Sequence, residues 1–160
     1  MALSMKGLRK ILDALKLRYF LHPDRPAVLM GVNCNHGTYQ ILISLQDDGQ
    51  FLQLRSTSYL ECPEGHRHLP AVLRALTALN LRNRFAKFAW DPRDGEILAY
   101  GDTWVVDSTI TKDQLHRIIG NLVPAIDAAH PRIVKTIETG KDPGDQSQPK
   151  AKSPGFGKTI

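Results

Sequence analysis

Residues Leu79 to Val106, LNLRNRFAKFAWDPRDGEILAYGDTWVV, read as the end of a helix followed by one β-hairpin. The turn is Asp91-Pro92-Arg93-Asp94-Gly95-Glu96. Proline presets φ near about −65°, and glycine accepts the positive φ that other residues resist. Phe85 to Trp90 before the turn and Ile97 to Val106 after it are rich in aromatic and β-branched residues suited to strands. Two antiparallel strands joined by a sharp reversal are expected, and the turn accounts for Asp91 and Asp94 without any paired-acid chemistry.

Outward from this stretch the pattern alternates between helix and strand. Leu69, Val72, Leu73, Leu76 and Leu79 recur at three- and four-residue spacing, which predicts a helix burying that stripe. Before it, three β-prone runs, Val28 to Asn33, Thr38 to Gln46 and Phe51 to Ser58, are separated by Cys34-Asn35-His36-Gly37 and Asp47-Asp48-Gly49. Tyr39, Ile41, Ile43 and Leu45 alternate with Gln40, Leu42, Ser44 and Gln46, a strand with one face much more apolar than the other. Met5, Leu8, Ile11, Leu12, Leu15 and Tyr19 predict a leading helix from Leu3 to Tyr19, ended before Pro23 and Pro26. Thr111 and Gln114 have the form of a capping box. They open a third helix that buries Leu115, Ile118, Ile119, Leu122, Val123 and Ile126, bends or restarts at Pro124 and Pro131, and ends near Gly140.

The order is helix, three strands, helix, two strands, helix, an α+β fold with one five-stranded antiparallel sheet. It resembles the YbjN-like family of bacterial sensory-transduction regulators, whose members share the fold of type III secretion chaperones. The matching pieces are the helix end Leu76-Thr77-Ala78-Leu79-Asn80, the strand Phe85 to Trp90, the Asp94-Gly95-Glu96 turn, Ile97 to Tyr100 and the closing helix from Lys112. With the leading helix they cover about residues 1–139. The resemblance implies a two-layer domain with helices on one face of the sheet, acting by protein contact and not by catalysis, and it allows a homodimer. Unlike the small acidic secretion chaperones, this chain is basic and carries a proline-containing tail.

The 160 residues hold 21 Lys+Arg against 16 Asp+Glu, a formal net charge of +5. Location decides what that charge means. Lys6, Arg9, Lys10, Lys16 and Arg18 face only Asp13 in the first twenty residues, and four lysines face Asp142 and Asp145 in the last twenty. The body between them is close to neutral and has no basic stripe interleaved with stacking aromatics, which argues against specific nucleic-acid reading. The basic first helix and the lysine tail define the alternative reading, an adaptor at a membrane surface or on nucleic acid. Two cysteines are too few for a disulfide scaffold, and no apolar run approaches the ~20 residues of a spanning helix. A cytoplasmic domain over residues 1–140 is expected, followed by a disordered tail over 141–160 rich in Gly, Pro and Lys.

No catalytic residue and no cofactor is expected. Ser44, Ser56 and Ser58 lie on strands without a nucleophile elbow, and Gly155-Phe156-Gly157-Lys158-Thr159 lacks the spacing of a phosphate loop. Cys34, His36, Cys62, His66 and His68 are the soft-ligand set. Their spacing, C-x-H and far downstream C-x3-H-x-H, matches no paired-arm zinc pattern, so they read as thiols and solvated histidines with no metal. The promising surface is the sheet face turned away from the helices. If Tyr39, Ile41, Ile43 and Leu45 face the helices, Leu42 points outward with Phe51 and Arg55 beside it. These three are the expected partner-binding residues, receiving a protein or peptide segment against the sheet face or edge.

Overall fold

The computed structural model describes residues 2–106 and 108–144. Its elements are α1 (Met5–Ala14), β1 (Phe20–Leu21), β2 (Ala27–Asn33), β3 (Thr38–Gln46), a 3-10 turn at Asp47–Gly49, β4 (Phe51–Thr57), β5 (Leu60–Glu61), α2 (Leu69–Arg82), β6 (Lys87–Trp90), β7 (Glu96–Trp104) and α3 (Lys112–Thr139). All strands join one antiparallel sheet in which β1, β2, β3, β4 and β7 are successive neighbours, and β5 and β6 also pair with β7. The predicted hairpin is β6–β7: Gly95 N donates to Asp91 O and Asp91 N to Glu96 O, both at 2.8 Å. Gly95 has φ +78°, and a Cβ there would stand 2.8 Å from the Cys62 carbonyl oxygen, so both conformation and space demand glycine.

The sheet has seven strands where five are expected. At Ile97, β7 pairs with Leu60 on one side and Trp90 on the other, and at Tyr100 it pairs with Arg55 and Lys87. Strands β4 and β5 therefore lie along the same edge of β7, two pieces of one line broken at Ser58, whose φ is +52°. There the Ser58 N–H leaves the ladder and donates to Glu96 Oε1 at 3.2 Å. The other addition is β1, which sets Phe20 opposite Leu29 and Leu21 opposite Val28. Two-residue strands carry no periodicity, so pattern alone does not reveal them.

Alternation sorts the sheet into two faces. Ile41, Ile43, Leu52, Leu54 and Ile97 are fully buried and meet Leu8 and Leu12 of α1, Val72 and Leu76 of α2, and Leu115, Leu122, Ile126 and Ile133 of α3 in one core. Leu29, Leu42, Phe51, Leu98 and Trp104 occupy the opposite face and stand outside that core.

The helices differ in detail from the expected ones. α1 stops at Ala14 and does not continue to Tyr19, because Lys16 takes φ +57°, and Leu17 N reaches back to Leu12 O at 3.1 Å. The Tyr19 hydroxyl then donates to Asp13 from outside the helix. On α2 the buried stripe runs through Ala71 and Ala75, while Leu73 is 38% exposed. α3 is continuous through Pro124 and Pro131, both exposed, so the missing N–H groups fall on the side away from the core and packing outweighs the local cost. Its capping box is closed in both directions, Gln114 N to Thr111 Oγ1 at 3.1 Å and Thr111 N to Gln114 Oε1 at 2.7 Å. After Gly140, at φ +70°, the chain turns back and Asp142 accepts two hydrogen bonds from Arg132, each 2.7 Å. Most of the expected tail, 145–160, lies outside the described residues.

Candidate protein-binding face

The antiparallel register sets Leu42 opposite both Leu29 and Arg55, and Arg55 opposite Tyr100. Phe20 lies opposite Leu29, and Lys87 opposite Tyr100. One row on the outer face therefore runs Phe20, Leu29, Leu42, Arg55, Tyr100, Lys87, apolar at the β1 end, while at the β6 end Lys87 Nζ turns to α2 and donates to the Asn80 and Asn83 carbonyls at 3.1 and 2.7 Å. On the same face Phe51 pairs with Trp104, their rings meeting edge to face with centroids 4.9 Å apart. Trp104 is 65% exposed and Phe20 77% exposed. Large aromatic surfaces of this kind release the most water when a partner covers them.

Arg55 is held in place by its neighbours. Its Nη2 donates to Glu96 Oε2 at 2.7 Å, while the other oxygen of Glu96 takes the Ser58 N–H. Arg55 Nε is buried and has no hydrogen-bond partner among the described residues. Next to this pair, Ser58, Leu60, Glu61, Asp94 and Glu96 line an open cleft of about 550 Å³. Asp94 is occupied by the hairpin, accepting the Glu96 N–H at 2.9 Å. Asp91 accepts both the side chain and the N–H of Arg93, and these bonds lower its carboxyl to about 2. The two aspartates serve the turn, as their sequence positions suggest.

The five soft-ligand residues fall in separate places. Cys62 is buried beside the hairpin, its carbonyl accepting from Trp90 Nε1 at 2.8 Å. His66 and His68 stand before and at the start of α2, where His68 Nδ1 donates to the Ile137 carbonyl at 2.7 Å. Cys34 and His36 sit in the β2–β3 turn, against α3. Among the described residues no group of three or more His, Cys, Asp and Glu is placed to hold a metal ion.

Sequence reasoning missed Asp127. It is buried on α3 and accepts the N–H groups of Asn35 at 3.2 Å and His36 at 2.8 Å, and the Tyr39 hydroxyl at 3.0 Å. Burial works to raise its pKa, but these hydrogen bonds and the nearby His36 bring it below the ordinary carboxyl value. The same surroundings push other groups toward their neutral forms. Burial, then Asp127, raises Tyr39 and Cys34, and burial, then the charge of His36, lowers His130, which packs against the rings of Tyr39 and Tyr59. The available signal was helical phase, since Asp127 adjoins Ile126 within the buried stripe and a solvated carboxylate belongs on the other side. Three donors converge on this carboxylate from one turn and its strand, which is the arrangement of a clamp.

A family described as "YbjN: Putative bacterial sensory transduction regulator" matches residues 4–134. The chain belongs to the YbjN family. The match begins just before α1 and ends inside α3, so it takes in all seven strands and the whole outer face. Among solved structures, "Crystal structure of YbjN, a putative transcription regulator from E. coli" aligns with a TM-score of 0.60 and 17% identity, over 80% of this chain and 92% of that one. A chain of "Structure of the HopA1-SchA Chaperone-Effector Complex" aligns with a TM-score of 0.52 and 16% identity, over 73% of this chain and 84% of that one. Both likenesses are likenesses of fold. The YbjN-like architecture implied by the hairpin and the closing helix is the one found. No curated protein matches the sequence.

Proposed function

We propose that this YbjN-family chain is a non-catalytic, chaperone-like interaction module that takes a peptide or a segment of a partner protein on the outer face of its sheet, around Leu42, Phe51 and Arg55. The observation that carries the reading is the register that sets Leu42 against Arg55 and Phe51 against Trp104 on one face outside the core, with the polar row Ser44, Gln53 and Asp102 between the two pairs. Two apolar spots separated by a polar row, with one oriented guanidinium, suit an extended peptide whose side chains reach both spots and whose backbone carbonyl takes an Arg N–H. The edge of β2 offers further backbone groups. Strand β1 pairs only with Val28 and Leu29, so Gly31 to Asn33 have no outer neighbour among the described residues. The family description as a regulator and the fold shared with a chaperone–effector complex support the same reading. In it, residues 1–140 act as one cytoplasmic domain, and the fold accommodates a homodimer. No helix of the described residues is long and apolar enough to cross a membrane.

The test is a peptide array from host proteins, with hits measured by fluorescence anisotropy against the wild type, Leu42→Asp and Trp104→Ala. Loss of at least about tenfold in affinity in both variants, with little response to salt, is the expected result. Lys6, Arg9 and Lys10 are exposed on α1 and define the competing adaptor reading. An electrostatic adaptor loses binding steeply between about 50 mM and about 200 mM salt and ignores Leu42. Binding that both variants leave intact would remove the outer face from consideration.

A further inference from the structure

The segment that leads from α1 to β2 carries an apolar pair in a cationic setting. Lys16, Arg18 and Phe20 are exposed at alternate positions, while Leu17 and Tyr19 between them pack against the core. Phe20 is 77% exposed and its neighbour Leu21 53%. The β1–β2 turn then passes through Pro23, Asp24, Arg25 and Pro26, all exposed, and is closed by His22 N donating to Ala27 O at 2.9 Å.

Charge along this part of the chain is one-sided. Lys6, Arg9, Lys10, Lys16, Arg18 and Arg25 are exposed, and no side chain among them has an ion pair or hydrogen bond with the described residues. The acids up to Ala27 are Asp13 and Asp24 alone, and Asp13 already accepts the Tyr19 hydroxyl at 2.8 Å.

The exposed pair narrows what can cover it. Strand β1 is two residues long and Pro23 follows closely, so this edge is too short to hold a partner strand. A nucleic-acid backbone would satisfy the cations but has no apolar layer for Leu21. The interfacial zone of a bilayer has both, with anionic headgroups for the cations, an acyl boundary for Phe and Leu, and room between them for the Lys and Arg stems.

We propose that Phe20 and Leu21 dock this chain on an anionic lipid bilayer, with Lys16, Arg18 and Arg25 on the headgroup phosphates. The site is an anchor additional to peptide binding, and its need for the apolar pair sets it apart from an electrostatic adaptor on α1. Strand β2 separates β1 from Leu42 on β3, and Phe51 and Trp104 lie farther along the sheet on β4 and β7. Either reading therefore stands without the other.

The full chain is floated with vesicles of phosphatidylcholine alone or mixed with phosphatidylglycerol. Binding at least about tenfold stronger to the mixed vesicles is expected, weakening between about 50 mM and about 200 mM salt as screening shortens the reach of the headgroup charge. Phe20→Ser combined with Leu21→Ser should weaken it about tenfold at constant charge, because stable attachment needs both signals. Lys16→Glu combined with Arg18→Glu should weaken it at least as far, and Lys6→Glu combined with Arg9→Glu should cost less than either. All of these side chains are exposed, so the melting temperature of the free protein should hold. Leu42→Asp, which disrupts the peptide site, should leave flotation intact. Absence of binding to the mixed vesicles, or binding that the paired serine substitutions leave unchanged, overturns the proposal. A DNA duplex or polyglutamate bound as tightly as the vesicles, with or without the serine substitutions, also overturns it and makes the surface a site for polyanions.

Discussion

Asp127 accepts the backbone N–H of His36 at 2.8 Å across a sequence separation of 91 residues. One buried carboxylate thereby fixes the β2–β3 turn to the closing helix, with Asn35 and Tyr39 as further donors. Asp127→Ala leaves three donors facing an empty acceptor and should destabilise the fold by about 2 kcal/mol or more, read as a shift in the urea midpoint. Asp127→Asn keeps one acceptor oxygen and should fall between Asp127→Ala and the wild type.

The same carboxylate sets a dependence on acid. Its folded pKa lies below the ordinary value of about 3.9, so its stabilisation is complete above that value and is lost as pH falls through the folded pKa. The stability gap between the wild type and Asp127→Asn should narrow as pH drops from about 5 toward about 2. A gap that stays constant across this range would contradict the ionised carboxylate.

His130 acts at higher pH. Packed between Tyr39 and Tyr59, it has a pKa lowered first by burial and then by His36. The unfolded chain then binds its proton more readily, so the fold should lose stability as pH falls from about 7 through the unfolded value near 6.5. The loss levels off below the folded pKa. His130→Phe retains a ring against both tyrosines and should flatten this part of the profile in chemical unfolding at stepped pH.

Gly140 ends α3 in the left-handed region with the His68 ring against it. Gly140→Ala meets an unfavourable φ costing about 1–2 kcal/mol, and the His68 ring must move as well. Differential scanning calorimetry should show a lower melting temperature. An amide exchange experiment should locate the loss at the end of α3 and at Arg132–Asp142, with the β6–β7 hairpin unaffected.

Pro124 lies on the exposed side of α3. Pro124→Ala restores a helical N–H and should raise stability by about 1–3 kcal/mol, measurable as an increase in urea midpoint with an unchanged slope.

The longer strands and the hairpin were legible because alternation and turn chemistry are local. Thr38 to Gln46 reads as one strand from its own residues, and Gly95 marks its turn by what glycine alone tolerates. The capping box at Thr111 and Gln114 was equally local. The extent of α1 was not, because the chain leaves the helix at Lys16 by adopting a conformation that lysine does not advertise. The break at Ser58 is of the same kind, as it depends on a contact with Glu96 from another strand. The prolines of α3 pointed to a bend that packing overrides. Asp127 was hidden because its donors lie in a distant turn, although the phase of its helix placed it inward. On the outer face, alternation gave the direction of Leu42, but its pairing with Arg55 and the meeting of Phe51 with Trp104 are facts of register.

The Arg132–Asp142 ion pair also fixes Pro143 and Gly144 against the helix layer. Gly144 lies on the helix layer, behind the sheet from Leu42 and Trp104. A fluorophore carried by Lys141→Cys, an exposed position next to that pair, therefore reports from the rear of the molecule and leaves the aromatic front uncovered.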